Sequence, residues 1–279
     1  MSATLHVRAA DGQRLSCRVT GDGGAPPLVL LHATLSTSGQ LARLARELGG
    51  TRRVLAPDRR GSGGSGLADP RPVSVPEHVA DVIALLDAEG IGAADIVGHS
   101  FGGVVALEVA SHHPDRVRAV AVFEPPYRAV APSRVQAGML GAADAVEAAF
   151  AADGAPGAAR AFIDSIAATG TFDALPDRTR AFLASEGAGA FADVRLAGLD
   201  PDALARITAP VTLLGGSRSE PFYRPILAAL ADRIPGAHLR ILDGCRHASP
   251  IAEPALVAPA ILAALDSPLD SPLPEVPAT

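Results

Sequence analysis

The spacing of apolar residues along the chain changes period several times. Positions 5–8 and 14–19 alternate polar with apolar, and Asp11-Gly12 between them carries a turn signal, so a hairpin is predicted there. Leu28-Val29-Leu30-Leu31 is instead a continuous apolar run ending at His32, as expected of a central strand covered on both faces. Leu41, Leu44, Ala45 and Leu48 then fall at helical spacing before Gly49-Gly50. Val54-Leu55-Ala56 predicts a short buried strand ending at Pro57, and Val79, Val82, Ile83 and Leu86 mark one face of the next helix. Ile96-Val97 reads as a buried strand end, 101–110 as a buried helix, and 117–123 as a further strand stopped by Glu124-Pro125-Pro126.

Strands alternating with helices imply an α/β fold: a parallel sheet with helices on both faces. Ligands in such sheets bind beyond the carboxyl ends of the strands, and His32, Asp58, Ser100 and Glu124 all fall there. From 125 to 209 the rhythm is lost. Alanine-rich helical stretches are predicted at 134–152, 157–169, 176–186 and 188–199. The strand–helix pattern resumes with 211–215, a helix over 222–231, a strand over 238–242 and a last helix over 254–265. The expected organisation is therefore a core of 1–124 and 210–265, a helical insertion of 125–209 above the strand ends, and a tail, 266–279. The tail repeats Asp-Ser-Pro-Leu, a composition that predicts disorder.

Composition narrows the function classes. At 279 residues, 48% hydrophobic and 19% charged, the chain is globular. A net charge of -6 without charge runs favours neither nucleic acid nor an anionic membrane as partner. All 24 basic residues are arginine, and the two cysteines, Cys17 and Cys245, form neither a disulfide framework nor a metal cluster. No metal or other cofactor is implied. Without a basic-then-apolar leader or an apolar run of about 18 residues, a cytoplasmic protein is expected.

The chemistry centres on Gly98-His99-Ser100-Phe101-Gly102, set between a strand and a helix. A tight turn of this kind lifts a serine hydroxyl clear of the sheet at a helix N-terminus, and side chains at 98 or 102 would clash. The glycine-rich 58–65 loop lacks the Lys-Ser/Thr ending of a phosphate-binding loop and reads as structural.

Four motifs in order carry a family likeness: Leu31-His32, Asp58-Arg59-Arg60-Gly61-Ser62-Gly63-Gly64-Ser65, Gly98-His99-Ser100-Phe101-Gly102-Gly103, and Gly244-Cys245-Arg246-His247. Over about residues 4–265 the chain resembles the α/β-hydrolase superfamily, in its esterase and lipase-like branch with a helical lid. The resemblance implies a mostly parallel eight-stranded sheet, with Ser100 as nucleophile and His247 as the base that takes its proton. Most members place the third, acidic residue a few positions past the glycine after the post-lid strand. Here Gly215-Gly216-Ser217-Arg218-Ser219-Glu220 offers Ser or Arg at that place. Relatives of the haloalkane-dehalogenase-like group use a Glu at the end of the strand after the nucleophile helix, where Glu124 stands. Glu124 is accordingly the first choice, with Glu220 and then Asp243 as alternatives. For the oxyanion hole, Phe101 N–H follows from the turn; the second donor is Thr34 N–H, with Ala33 as alternative, in a loop lacking the family's usual glycine.

The implied function is hydrolysis of a small, largely apolar ester, thioester or lactone through an acyl-enzyme at Ser100. Serine at 100 disfavours dehalogenase or epoxide hydrolase chemistry, which needs a carboxylate nucleophile. Carbon–carbon bond hydrolases, lyases or cyclases of the same fold remain alternatives, as does a hydrolase-derived protein that binds a small molecule without turnover. Five of the eight phenylalanines (Phe150, Phe162, Phe172, Phe182 and Phe191) lie in the insertion, where they either line an apolar pocket or pack its helices together.

Overall fold

The computed structural model describes residues 2–50 and 52–266. Except for Asp266, the tail expected to be disordered lies outside the described residues. Eight strands form one sheet: β1 (Ser2–Arg8), β2 (Arg14–Thr20), β3 (Ala25–Leu31), β4 (Arg52–Pro57), β5 (Ala94–His99), β6 (Val117–Phe123), β7 (Val211–Gly216) and β8 (His238–Leu242). Their order is β1-β2-β4-β3-β5-β6-β7-β8. The β1–β2 and β2–β4 pairs are antiparallel and all others parallel. The β1–β2 hairpin turns at Gly12, whose φ of 87° belongs to the left-handed region that glycine enters freely.

Within the core the helices are α1 (Ala42–Leu48), α2 (Val75–Ala88) and α3 (Phe101–His112). The connection from β6 to β7 holds α4 (Ser133–Ile166), α5 (Thr171–Ala174), α6 (Asp177–Ser185) and α7 (Gly187–Asp193). After β7 come α8 (Tyr223–Arg233), α9 (Ser249–Ala252) and α10 (Pro254–Asp266).

The continuous apolar run of β3 is explained by where its side chains go. Alternate residues of a strand point to opposite faces. Val29 and Leu31 join a core cluster with α2, α3 and α8, while Leu28 and Leu30 join a second cluster with α1 and α10. In β6, Val120 and Val122 go to the first cluster, Ala121 and Phe123 to the second. Helix α3 is buried from Phe101 through Ser111, so it is apolar on nearly every side.

The β6–β7 connection contains no strand among the described residues. The break expected between 152 and 157 is real: α4 is interrupted at Gly154 (φ 60°, ψ -147°), with Pro156 following. The stretch expected as a helix over 188–199 is helical only to Asp193, and α5 was not anticipated. Phe150 and Phe191 stack at 4.1 Å between ring centroids, and Phe172 is buried in a small cluster shared with Leu35 of the core. Among the described residues no helix is long and apolar enough to cross a membrane.

Candidate active site

The turn from β5 into α3 is as sharp as its glycines suggest. Ser100 holds φ 53° and ψ -123°, a strained conformation for a residue with a side chain. A Cβ at Gly98 would come within 2.4 Å of Gly102 O, and one at Gly102 within 2.4 Å of Leu31 O. The first glycine lets the turn close. The second lets the loop after β3 run against the start of α3.

Beyond the carboxyl ends of the strands lies a cavity of about 320 Å³ that Ser100, Phe101, Thr34, Leu35, Tyr223 and His247 help to line. The helical connection supplies much of its apolar wall, including Met139, Phe162, Ile163 and Leu196. Of the five insertion phenylalanines, Phe162 is the one that reaches it. The space suits a small organic molecule. Among the described residues lining it there is no arginine, and its one acid is Asp193.

His247 enters on the loop after β8. Its Nδ1 lies 2.8 Å from Glu124 Oε2. Glu124, at the end of β6, is buried and has φ 48°. Its other oxygen accepts the Gly216 N–H at 2.7 Å. Both carboxylate oxygens are thus used, and the imidazole presents Nδ1–H to Glu124 with Nε2 left as acceptor. Glu220 is exposed in the turn before α8, and Asp243 instead accepts the Ser217 hydroxyl at 3.0 Å. It is Glu124, of the three acids weighed, that meets the ring.

His247 Nε2 is met by Tyr223 Oη at 3.2 Å, and the two rings stack at 4.5 Å. Ser100 Oγ has no hydrogen-bond partner among the described residues, although it borders the same cavity. Sequence reasoning passed over Tyr223, since a tyrosine opening a helix carries no local sign of facing a histidine 24 positions on.

The two histidines flanking the motifs are held neutral. His99 Nε2–H donates to His247 O at 2.8 Å, and burial followed by the nearby His247 keeps its pKa well below the ordinary value. His32 Nδ1–H donates to Ala33 O and its Nε2 accepts the Arg59 N–H, both at 2.8 Å. Burial, then the Arg59 charge, lowers its pKa to about 3. The 58–65 loop is structural as expected: Asp58 accepts the Ser38 and Gly64 N–H groups at 2.8 and 2.9 Å. Among the described residues no group of His, Cys, Asp and Glu is arranged to hold a metal ion.

A sheet of this order with a strained serine between β5 and α3 defines the α/β-hydrolase fold. The profile of the alpha/beta hydrolase family matches residues 28–260, and the chain belongs to that family. It is 32% identical over 251 residues to Lipase LipV of Mycobacterium tuberculosis, covering 86% of this chain and 94% of that one. It is 40% identical over 111 residues to the 2-hydroxymuconate semialdehyde hydrolase of Pseudomonas putida, but this match spans only 39% of either chain. The crystal structure of a hydrolase from Pseudomonas aeruginosa PA01 superimposes with a TM-score of 0.78 at 26% identity, over 95% of this chain and 98% of that one.

Proposed function

We propose that this hydrolase cleaves a small, uncharged, largely apolar ester, thioester or lactone through an acyl-enzyme on Ser100. One observation carries the reading. An imidazole whose Nδ1 is 2.8 Å from a buried carboxylate borders the same apolar cavity as a serine on a strained turn.

In this scheme the helical insertion is a lid that closes the acyl site. His247 Nε2 takes the Ser100 proton as Oγ attacks the carbonyl carbon, and Glu124 holds the tautomer and stabilises the imidazolium. The developing oxyanion is received by the Phe101 and Thr34 N–H groups. Collapse expels the alcohol, which takes its proton from His247. A water then enters and gives its proton to the same nitrogen as its oxygen attacks the acyl carbon; the bond to Ser100 Oγ breaks, Oγ takes that proton back from His247, and the acid leaves. Tyr223 Oη must leave Nε2, or turn aside, as Ser100 engages it.

The relative named as a 2-hydroxymuconate semialdehyde hydrolase raises a second reading, carbon–carbon bond hydrolysis on the same serine. Its named substrate is an acid. A cavity bordered by no arginine among the described residues gives a substrate carboxylate no counter-ion, and this favours the neutral ester.

The test is a panel of p-nitrophenyl esters of graded acyl length, run beside their ω-carboxylated counterparts and with fluorophosphonate labelling. Neutral acyl groups short enough to fit the cavity should turn over fastest, and label should sit on Ser100 and vanish in Ser100→Ala. Preference for the carboxylated esters would refute the neutral-substrate reading. Tight ligand binding without labelling would mark a binding protein.

A further inference from the structure

The loop that follows β3 is fastened from the insertion side by a buried ion pair. Arg59 and Asp193 are both buried and make a two-point contact, Nη1 to Oδ1 at 3.0 Å and Nη2 to Oδ2 at 2.7 Å. Asp193 is the last residue of α7, whereas Arg59 follows β4. Thr34 Oγ1 donates to the same Oδ2 at 3.0 Å, and His78 Nε2 lies 3.3 Å from Oδ1. Burial alone would raise the Asp193 carboxyl, but Arg59 and His78 outweigh it and hold it well below the usual carboxylate range.

Arg59 also grips the loop itself. Its Nε donates to His32 O at 2.9 Å and its Nη2 to Ala33 O at 3.1 Å. The guanidinium lies 4.5 Å from the centroid of the Phe101 ring, which His78 meets edge-on. In a planar trans peptide the N–H points opposite to its C=O. Turning the His32 and Ala33 carbonyls toward Arg59 therefore turns the Ala33 and Thr34 N–H groups away from it. Those are the two amides considered as the second oxyanion donor.

We infer that Asp193 is a positioning residue for the reaction. By neutralising Arg59 and tethering Thr34, it holds the oxyanion loop in its working orientation, so that seating of the insertion and assembly of the oxyanion hole are one event. This rests on the serine hydrolase reading above, and Asp193 itself touches no reacting atom in it.

The experiment measures kcat and KM on a short p-nitrophenyl ester, together with the rate of labelling by a fluorophosphonate. Labelling forms the Ser100 O–P bond, breaks P–F, passes the serine proton to His247 and places a phosphoryl oxygen in the oxyanion hole. For Asp193→Asn, which keeps the shape but not the charge, kcat and the labelling rate should fall together by about 100-fold, the loss expected of one misplaced donor. KM should move less than threefold. A purely structural role would lower the unfolding midpoint and leave the kcat of the folded fraction unchanged.

Thr34→Val removes one bond to the carboxylate and leaves the ion pair intact. It should slow both rates about tenfold and carries the test should Asp193→Asn not fold. Wild-type rates in a folded Asp193→Asn, or in Thr34→Val where that variant must stand in, overturn the inference alone. A wild-type protein that fails to label overturns the hydrolase reading and this inference with it.

Discussion

Replacing Glu124 by Gln is the most informative single perturbation, because the carboxylate has two oxygens and both are committed. Oε1 accepts a main-chain N–H, that of Gly216, at 2.7 Å, and Oε2 faces His247 Nδ1 at 2.8 Å. An amide has one oxygen and one NH2. Main-chain N–H groups donate only, so the amide oxygen goes to Gly216 and the NH2 to His247. Nδ1 must then accept, and the ring proton moves to Nε2. A ring protonated at Nε2 has no lone pair there for the Ser100 proton. Forcing the wrong tautomer in a site of this kind costs about 10⁴ in kcat, or ~5 kcal/mol of barrier. The substitution is nearly isosteric, so the fold should survive. Hydrolysis of a short p-nitrophenyl ester should fall by about four decades, with fluorophosphonate labelling slowed in parallel and Glu220→Gln close to wild type. A Glu124→Gln variant within tenfold of wild type, or a Glu220→Gln variant that alone abolishes turnover, would refute the assignment.

Other consequences follow from the same contacts. Tyr223→Phe removes a competitor for Nε2; with a neutral hydrogen bond worth about 0.5–1.5 kcal/mol net, the labelling rate of Ser100 should rise up to about tenfold, and a large fall would show that the hydroxyl takes part in the chemistry. Gly102→Ala sets a Cβ 2.4 Å from Leu31 O, an atom of the backbone. It should cost about 1–3 kcal/mol in urea unfolding, whereas Gly138→Ala, where a Cβ meets nothing within 4 Å, should be close to neutral or stabilising. His32, with its pKa lowered to about 3, and His99, also lowered, are neutral in the fold but protonate freely when unfolded. Their contribution to stability is complete above the ordinary histidine pKa of 6.5 and is lost as pH falls from there toward 3. Urea midpoints should therefore drop between pH 7.5 and pH 5, and a flat profile over that range would contradict burial of the two neutral rings.

How far the sequence could be read depended on the range of the forces involved. The apolar run of β3 and the all-round apolar α3 were legible because a residue buried on every side leaves its mark in its own neighbourhood. The turn at Ser100 was legible because backbone crowding demands glycine at 98 and 102. Glu124 was a harder case. Its partner is 123 positions away, and only family likeness set it ahead of Glu220. Tyr223, Arg59 and Asp193 went unread for the same reason. Asp193 joins Thr34 across 159 positions and Arg59 across 134, and no period or cap signal spans such a gap. The helices of the insertion were located only coarsely, since alanine-rich stretches carry a weak amphipathic signal. There the boundaries are set by breaks such as Gly154 and by packing on the core.

The distribution of backbone strain connects fold to site. Among the described residues, four without glycine's freedom have positive φ: Leu35, Ser100, Glu124 and Leu196. Leu35, Ser100 and Leu196 line the cavity, and Glu124 holds the histidine that lines it. Such conformations cost about 1–3 kcal/mol each and persist only where surrounding structure over-determines them. Here the surroundings can be named. Ser100 N–H donates to Phe123 O and Glu124 N–H to Leu214 O, so these two strained residues are tied to the adjacent parallel strand. Leu35 packs against Ala159, Phe172 and Ala190 of the insertion. The sheet thus holds the serine and the carboxylate at the ends of the neighbouring strands β5 and β6, while the insertion holds the loop that follows β3 on the serine's other side. Loosening the insertion should accordingly disturb the loop that follows β3 and leave the His247–Glu124 contact intact, a division that hydrogen exchange on Asp193→Asn would resolve: faster exchange at residues 33–36, and none at 98–103.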